Sequence, residues 1–359
     1  MIQDGSATGH AHILVRLDAN HQIGLAHAIR VSAILGLLKV PHRITVAGAG
    51  ELIADYFPGQ RLLPASVEDP NAFFSMIGET RPDLILVDHP RPGHGFWHGL
   101  GVSAGDIPVV AIDDEGGEVD ADLVINGTVL DQYHRYPQLR RHASLLLGRE
   151  YALIRPVFGA TPWRNPRETS LVIVVGSADR ARDWALQLMS GTVDLSNWGK
   201  VRMIVGRAFP DMAKLQHDCD ALGVFLESGI SGECMAEALS QASVALITGG
   251  MIVYEALAVG VPAIVFPQIE NLIPEARWFA QRGCIVDLGY EGGTNIGLVS
   301  EAVGRLLASS SARLAMSSIQ RATIDGHGML RAAQEIDGFL AESAASLGRD
   351  VYRKQELQP

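Results

Sequence analysis

The sequence predicts an α/β protein made of two doubly wound parallel-sheet domains. Three observations carry this. Short apolar runs alternate with amphipathic helical stretches along the whole chain, the pattern of parallel sheets covered by helices. A run rich in proline and glycine, Gly159-Ala160-Thr161-Pro162-Trp163-Arg164-Asn165-Pro166, interrupts that alternation near the middle. The 359 residues also exceed what one ordinary core encloses, so a domain boundary is expected near residue 160.

Taken in order, Ala11 to Val15 is an apolar strand with a polar exit at Arg16, Asp18 and His21, followed by Gly24 and a helix from Ala28 to Leu38. Ile29, Ala33, Leu37 and Leu38 are expected to share the buried face of that helix. His27 falls in its first turn, where free backbone N–H groups and the helix dipole attract anions, and Arg30 lies one turn further on. Arg43 to Ala47 is the second strand, running into Gly48-Ala49-Gly50, and Glu51 to Tyr56 is a short helix. A lone Gly-x-Gly is only a weak sign of phosphate binding. Asn71 to Thr80 is helical, and the buried strand after Arg81 ends in Asp88 and His89, a second set of polar groups at a strand's carboxyl end. Strands Ile107 to Ile112 and Ala121 to Asn126 follow, with Asp113-Asp114-Glu115 between them. That triplet has the oxygen donors a hard cation takes, but carboxylates in a solvated turn near a helix start are the preferred reading.

The second half repeats the pattern. Leu171 to Val175 opens into Gly176-Ser177-Ala178-Asp179, Ala181 to Met189 is a helix, and Val201 to Val205 and Val224 to Leu226 are strands. The segment Ala242 to Pro267 reads as strand, Gly249-Gly250 turn, helix from Ile252 to Ala258, Gly260-x-Pro262, strand. Its glycines let backbone N–H groups approach a pyrophosphate, and the helix points its positive end there. Glu255, one turn in, is either a carboxylate that accepts two ribose hydroxyls or an ordinary residue on the helix surface. Met329 to Leu347 is mostly helical, and its last part is expected to pack back on the first domain. The expected domains are thus 1–160 and 161–328, with a helical segment at 329–359.

Composition excludes several classes of function. A net charge of -11 with no lysine or arginine cluster argues against a nucleic-acid partner. The apolar stretch from Val244 to Pro267 is broken by Gly249, Gly250, Glu255 and Pro262, and the first ten residues lack the pattern of a leader. No membrane insertion is expected, and the location expected is cytoplasmic. Cys219, Cys234 and Cys284 have neither pairing nor metal-ligand spacing, so buried thiols are expected, without disulfide or zinc.

An ordered set of residues spans nearly the whole chain: Arg16-x-Asp18, Ile23-Gly24-x-x-His27-x-x-Arg30, Val87-Asp88, Ile112-Asp113-Asp114, Asp122-Leu123-x-Ile125-Asn126, Leu147-Gly148-x-x-Tyr151-Ala152-Leu153-Ile154-Arg155-x-x-Phe158, Gly249-Gly250, Glu255, Gly260-x-Pro262, Asn271 and Asp325-Gly326-x-Gly328. With them the chain resembles the nucleotide-sugar hydrolases of pseudaminic acid synthesis, which act on a UDP-linked diacetamido-trideoxy sugar, and the related spore-coat polysaccharide proteins. These are similar in turn to the N-acetylglucosaminyltransferase of peptidoglycan synthesis.

The resemblance implies the GT-B architecture, with the two domains facing a cleft, and hydrolysis of a UDP-sugar to free sugar and UDP. His27 is then the base that takes a proton from the attacking water; from its place at the same strand end, Asp18 is the carboxylate expected to orient it. Gly249, Gly250 and Glu255 correspond to the diphosphate and ribose site. Arg16, Gly24, Arg30, Asp88, His89, Gly176, Ser177, Met251 and Asn271 are the further substrate-binding candidates. A nucleoside diphosphate leaves without protonation, so no metal or other cofactor is expected. The chain departs from the family at Ala26, Pro90, the Gly176-Ser177-Ala178-Asp179 turn, Met251 and Leu272. Met251 and Leu272 remove hydrogen-bonding groups and Pro90 removes a phenol, so a sugar transferase and a non-catalytic nucleotide-sugar binder stay open beside the hydrolase.

Overall fold

The structure is a computed structural model and describes residues 10–20, 24–66, 69–89, 92, 94–137, 143–176, 179–189, 195, 198–207, 209–290 and 296–346. His21, Pro90, Ser177 and Ala178 lie outside the described residues. Contacts divide the chain into two compact units. One holds the residues up to Leu153 together with those from Met329 onward, and the other spans Ile154–Gly328.

The first unit runs β1 (Ala11–Leu17), α1 (Ala26–Leu35), β2 (His42–Gly48), α2 (Ile53–Tyr56), β3 (Arg61–Pro64), α3 (Pro70–Thr80), β4 (Leu84–Asp88), α4 (His94–Ala104), β5 (Val109–Ile112), β6 (Leu123–Asn126) and β7 (Ser144–Leu147). Among the described residues these strands form one seven-stranded sheet, in the order β3-β2-β1-β4-β5-β6-β7. Every pairing is parallel. The chain winds outward from β1 to β3, then crosses back to β4 on the other side of β1. The connections after β1 and β4 therefore part company at the carboxyl end of the sheet, where doubly wound sheets open a crevice.

β1 is buried at all seven positions, which requires cover on both faces. Alternate residues divide between two cores. Ile13, Val15 and Leu17 meet Ala28, Val31, Ile34 and Leu35 of α1 on one side, while Leu14 lies on the other with Phe73 and Ile77 of α3 and Phe96, Trp97 and Leu100 of α4.

The second unit runs α5 (Pro156–Ala160), β8 (Ser170–Val175), α6 (Asp179–Leu188), β9 (Lys200–Val205), α7 (Met212–Leu222), β10 (Phe225–Ser228), α8 (Gly232–Gln241), β11 (Val244–Ile247), α9 (Met251–Val259), β12 (Ala263–Val265), α10 (Ile273–Gln281), β13 (Ile285–Asp287), α11 (Ile296–Ala308) and α12 (Ser310–Thr323). Its described strands form a six-stranded sheet, ordered β10-β9-β8-β11-β12-β13. The switch now falls between β8 and β11, so Gly176 and Thr248-Gly249-Gly250 leave adjacent strands. Leu171, Ile173 and Val175 pack with Trp184, Leu188, Leu215, Val299 and Val303 in one core. α13 (Gly328–Ser346) then returns to the first unit, burying Met329, Ala332, Ala333, Ile336 and Leu340 in the core that α1 shares.

Several local expectations change. α1 stops at Leu35, where Gly36 caps it; Ala28, Val31, Ile34 and Leu35 are its buried apolar residues, with Ala33, Leu37 and Leu38 packed against the same core as expected but Ile29 not. Ile29 is partly exposed while Arg30 is buried. α4 was not legible because Gly95, Gly99 and Gly101 dilute its helical pattern. Gly99 is needed there: a Cβ would lie 2.4 Å from the Phe74 ring. β3 is an edge strand that shows no alternation, being exposed at three of its four positions. Cys219 and Cys284 are buried as expected, but Cys234, in the first turn of α8, is exposed. No helix among the described residues is long and apolar enough to cross a membrane.

Candidate functional site

At the sheet switch of the first unit, Leu17 pairs in register with Asp88, so the ends of β1 and β4 lie side by side. After β1 the chain turns through Gly24, whose N–H donates to the Asn20 carbonyl at 2.7 Å, and enters α1. α1 has no side-chain cap and no acidic residue in its first turn. His27, its second residue, shares a face with Arg30, three positions on. That face meets the end of β4.

Here four charged or titratable groups converge. His27 Nδ1 is 2.6 Å from Asp88 Oδ1. Arg30 grips the same carboxylate with both edges, Nε donating to Oδ2 and Nη2 to Oδ1, each at 2.6 Å. Its Nη1 donates to both oxygens of Asp114, at 2.9 and 2.8 Å. Burial alone would raise the Asp88 carboxyl, but the charge of Arg30 and the His27 contact outweigh it and hold Asp88 well below the usual carboxylate range. Asp88 thus stays ionised. A buried carboxylate against Nδ1 selects the tautomer with its proton there, so Nε2 is left as the acceptor. With the His27 side chain 15% exposed, the ring is seated but reachable.

Asp18 does not orient His27, contrary to expectation. It is fully buried and accepts from Arg16 at 2.6 and 3.1 Å and from the Ala49 N–H at 2.7 Å, with His89 Nε2 3.4 Å away. Arg16 is 1% exposed and also donates to the Leu17 carbonyl. Arg16, Asp18 and His89 therefore form a group that ties β1, β4 and the turn after β2 together. The polar residues expected to converge after β1 divide between two groups: Arg16 and Asp18 lie with His89 at the β2 turn, while His27 and Arg30 meet Asp88 at the start of α1.

The acidic triplet after β5 splits its roles as well. Asp114 reaches Arg30, whereas Asp113 accepts from Tyr136 Oη at 2.7 Å and from the Gly116 N–H at 2.6 Å. Asn126 donates to Tyr136 Oη at 2.8 Å and to the Tyr133 carbonyl at 3.0 Å, which holds this loop in place. Asp114, expected as a solvated turn carboxylate, instead joins the group around Asp88 through Arg30. Its signals in the sequence are the unbroken run of carboxylates at a strand end and its place in the Ile112-Asp113-Asp114 motif.

In the second unit, Gly249 (φ 95°) and Gly250 (φ 80°) follow β11 in conformations that side chains rarely adopt. Gly250 is the N-cap of α9 and offers no side chain, so the helix start presents backbone alone. Met251 is the first helical residue. Leu272 packs against this turn, 3.2 Å from where a Gly249 Cβ would stand. Neighbouring Asn271 is exposed, in the short helical turn Glu270–Leu272. Gly176 is exposed at the end of β8, with open space around its Cα.

Glu255 is buried rather than on the helix surface. Arg155 donates to its Oε1 at 3.2 Å. Burial pushes the Glu255 carboxyl up to about 7, the Arg155 charge offsetting only part of the effect. Arg155 lies flat against Gly232, where a Cβ would stand 2.4 Å from Nη1, and over the Phe158 ring at 5.1 Å. The sequence shows Arg155 only as one member of a motif, because its partner stands 100 positions away. Among the described residues no cluster of histidine, cysteine, aspartate or glutamate is arranged to hold a metal ion.

No protein-family model matches the chain. The spore coat polysaccharide biosynthesis protein SpsG of Bacillus subtilis (strain 168) is 22% identical over 328 residues, covering 89% of this chain and 96% of that protein. Among solved structures, the S. aureus MnaA-UDP co-structure matches with a TM-score of 0.60 at 11% identity, covering 97% of this chain and all of that one (100%). MurG of Acinetobacter baumannii matches with a TM-score of 0.59 at 12% identity, covering 91% of this chain and 99% of that one. At such identities the likeness is one of fold, and the fold of this chain is GT-B: two doubly wound, Rossmann-like parallel-sheet domains.

Proposed function

We propose that this protein hydrolyses a UDP-linked amino sugar at the anomeric carbon, releasing free sugar and UDP, in the biosynthesis of a surface polysaccharide or a pseudaminic-type sugar. One observation carries the reading: Asp88 holds Nδ1 of His27 at 2.6 Å while Arg30 holds Asp88, which leaves Nε2 of a seated ring to accept a proton. The oxygen of a bound water attacks the anomeric carbon. The bond from that carbon to the diphosphate oxygen breaks, its electron pair leaves with UDP, and a water proton passes to Nε2. Asp88 steadies the imidazolium without taking its proton.

The nucleotide is assigned to the second unit. Gly249, Gly250 and the start of α9 offer N–H groups to the diphosphate. Glu255 takes the ribose hydroxyls, Gly176 borders the phosphates, and Met251 and Asn271 border the sugar. Similarity to SpsG, named for spore coat polysaccharide biosynthesis, supports the polysaccharide setting, and the fold shared with a protein solved with UDP supports the nucleotide.

The test is incubation of the purified protein with UDP-linked amino sugars, following UDP and free sugar with and without acceptor glycans. Equal release of both without acceptor is the expected result. UDP release that requires an acceptor means a transferase, and tight UDP binding with no turnover means a binding protein.

A further inference from the structure

Among the groups around His27, Asp114 stands apart, because it touches the ring only through another residue. Arg30 meets Asp88 with Nε and Nη2 and meets Asp114 with Nη1. Arg30 Nη2 is itself 3.3 Å from His27 Nδ1. Arg30 therefore braces the ring through Asp88, and Asp114 holds the outer edge of that brace. The charges are unequal in number: two carboxylates face one guanidinium, leaving one negative charge in excess beside the ring. Asp88 comes from β4, Arg30 from α1 and Asp114 from the loop after β5. In the next buried group Arg16 pairs with Asp18, and His89 lies 3.4 Å from the same carboxylate.

We propose that Asp114 is a positioning residue for His27: through Arg30 it fixes the ring, and its charge favours the imidazolium that forms when the ring takes up a proton. The proposal rests on the hydrolase reading for its catalytic meaning, but not for its electrostatics. Asp114 suits the task because its side chain is 47% exposed, so its charge is kept at little desolvation cost while the Arg30 side chain, 10% exposed, carries its effect inward. The loop that presents it is anchored independently, since Asp113 turns the opposite way to Tyr136.

The experiment is a titration of the His27 ring by NMR in the full-length protein. Its signal is assigned among the twelve histidines by its loss in His27→Gln. Asp114→Asn keeps the shape and removes the charge, and is expected to lower the ring's midpoint by about half to one pH unit. Asp114→Glu restores the charge and is expected to return most of that shift. In turnover the acid limb of kcat/KM moves to lower pH with the ring in Asp114→Asn, and kcat falls about 3- to 10-fold with KM little changed. A ring midpoint that stays put in Asp114→Asn overturns the proposal, whatever happens to the rate. If the unaltered protein turns over no UDP-sugar, the hydrolase reading falls, while the ring titration still decides the role of Asp114.

Discussion

At the scale of single residues, the candidate chemistry rests on which carboxylate meets which base. Replacing Asp88 with asparagine keeps the shape but lets an amide face Nδ1, so the imidazole is no longer fixed in the tautomer that leaves Nε2 free. Turnover is expected to drop at least about 10²-fold, and His27→Gln about 10²–10⁴-fold, with UDP affinity by calorimetry little changed in both. Unchanged turnover in His27→Gln would make the residue structural. Glu255 gives a second prediction with a definite sign. Its carboxyl is raised from 4.5 to about 7, so between those values the folded protein keeps a proton that the unfolded chain has lost. The stability this contributes is complete below pH 4.5 and is lost as pH rises to about 7, with a slope of at most about 1.4 kcal/mol per pH unit. With the ribose on Glu255 as proposed, UDP binding is expected to have the opposite dependence: the hydroxyls donate to the ionised form, and affinity climbs through pH 7. Glu255→Gln is expected to flatten both curves, which urea titration and calorimetry at a series of pH values would read.

At the scale of elements, legibility followed how local each cause is. β1, β4 and β11 are short apolar runs ending in polar or glycine turns, and α9 sits between Gly250 and Gly260, so their positions could be read from adjacent residues. β3 and α4 could not, because one is an exposed edge and the other a glycine-rich helix defined by rings packing on it. The burial of Arg30 on α1 was also hidden, for it depends on meeting Asp88, 58 positions away. The same holds for Asp337 on α13. Its carboxylate accepts the N–H groups of Lys39 at 3.0 Å and Val40 at 3.1 Å, almost 300 positions earlier in the chain (297 and 298). Asp337→Ala leaves two backbone donors without this partner, and is expected to cost the first unit about 1–3 kcal/mol in chemical unfolding. A loss below a few tenths of a kcal/mol would mean that water replaces the carboxylate.

At the scale of the whole molecule, the order of the chain and the order of its cores differ. The first unit is begun by residues up to Leu153 and finished only by α13, after the entire second unit has been made. Each unit has its own sheet and core, but only the second is continuous in sequence. The two should therefore respond differently to a chain ended at Gly328. Such a chain lacks Met329, Ala332, Ala333, Ile336 and Leu340, all at most 3% exposed, from the core that covers one face of the seven-stranded sheet. Burying the three large side chains among them is worth on the order of 5 kcal/mol, a large share of the 5–15 kcal/mol that stabilises an ordinary domain. The shortened protein is expected to unfold in two steps. An early transition, absent from the intact chain, belongs to the first unit, and a later one to the second unit. Added UDP should raise only the later transition, because the glycine turn and Glu255 assigned to the nucleotide lie in residues 154–328. Calorimetry with and without UDP checks this, and a single transition unchanged from the intact chain would mean that α13 adds nothing to the first core.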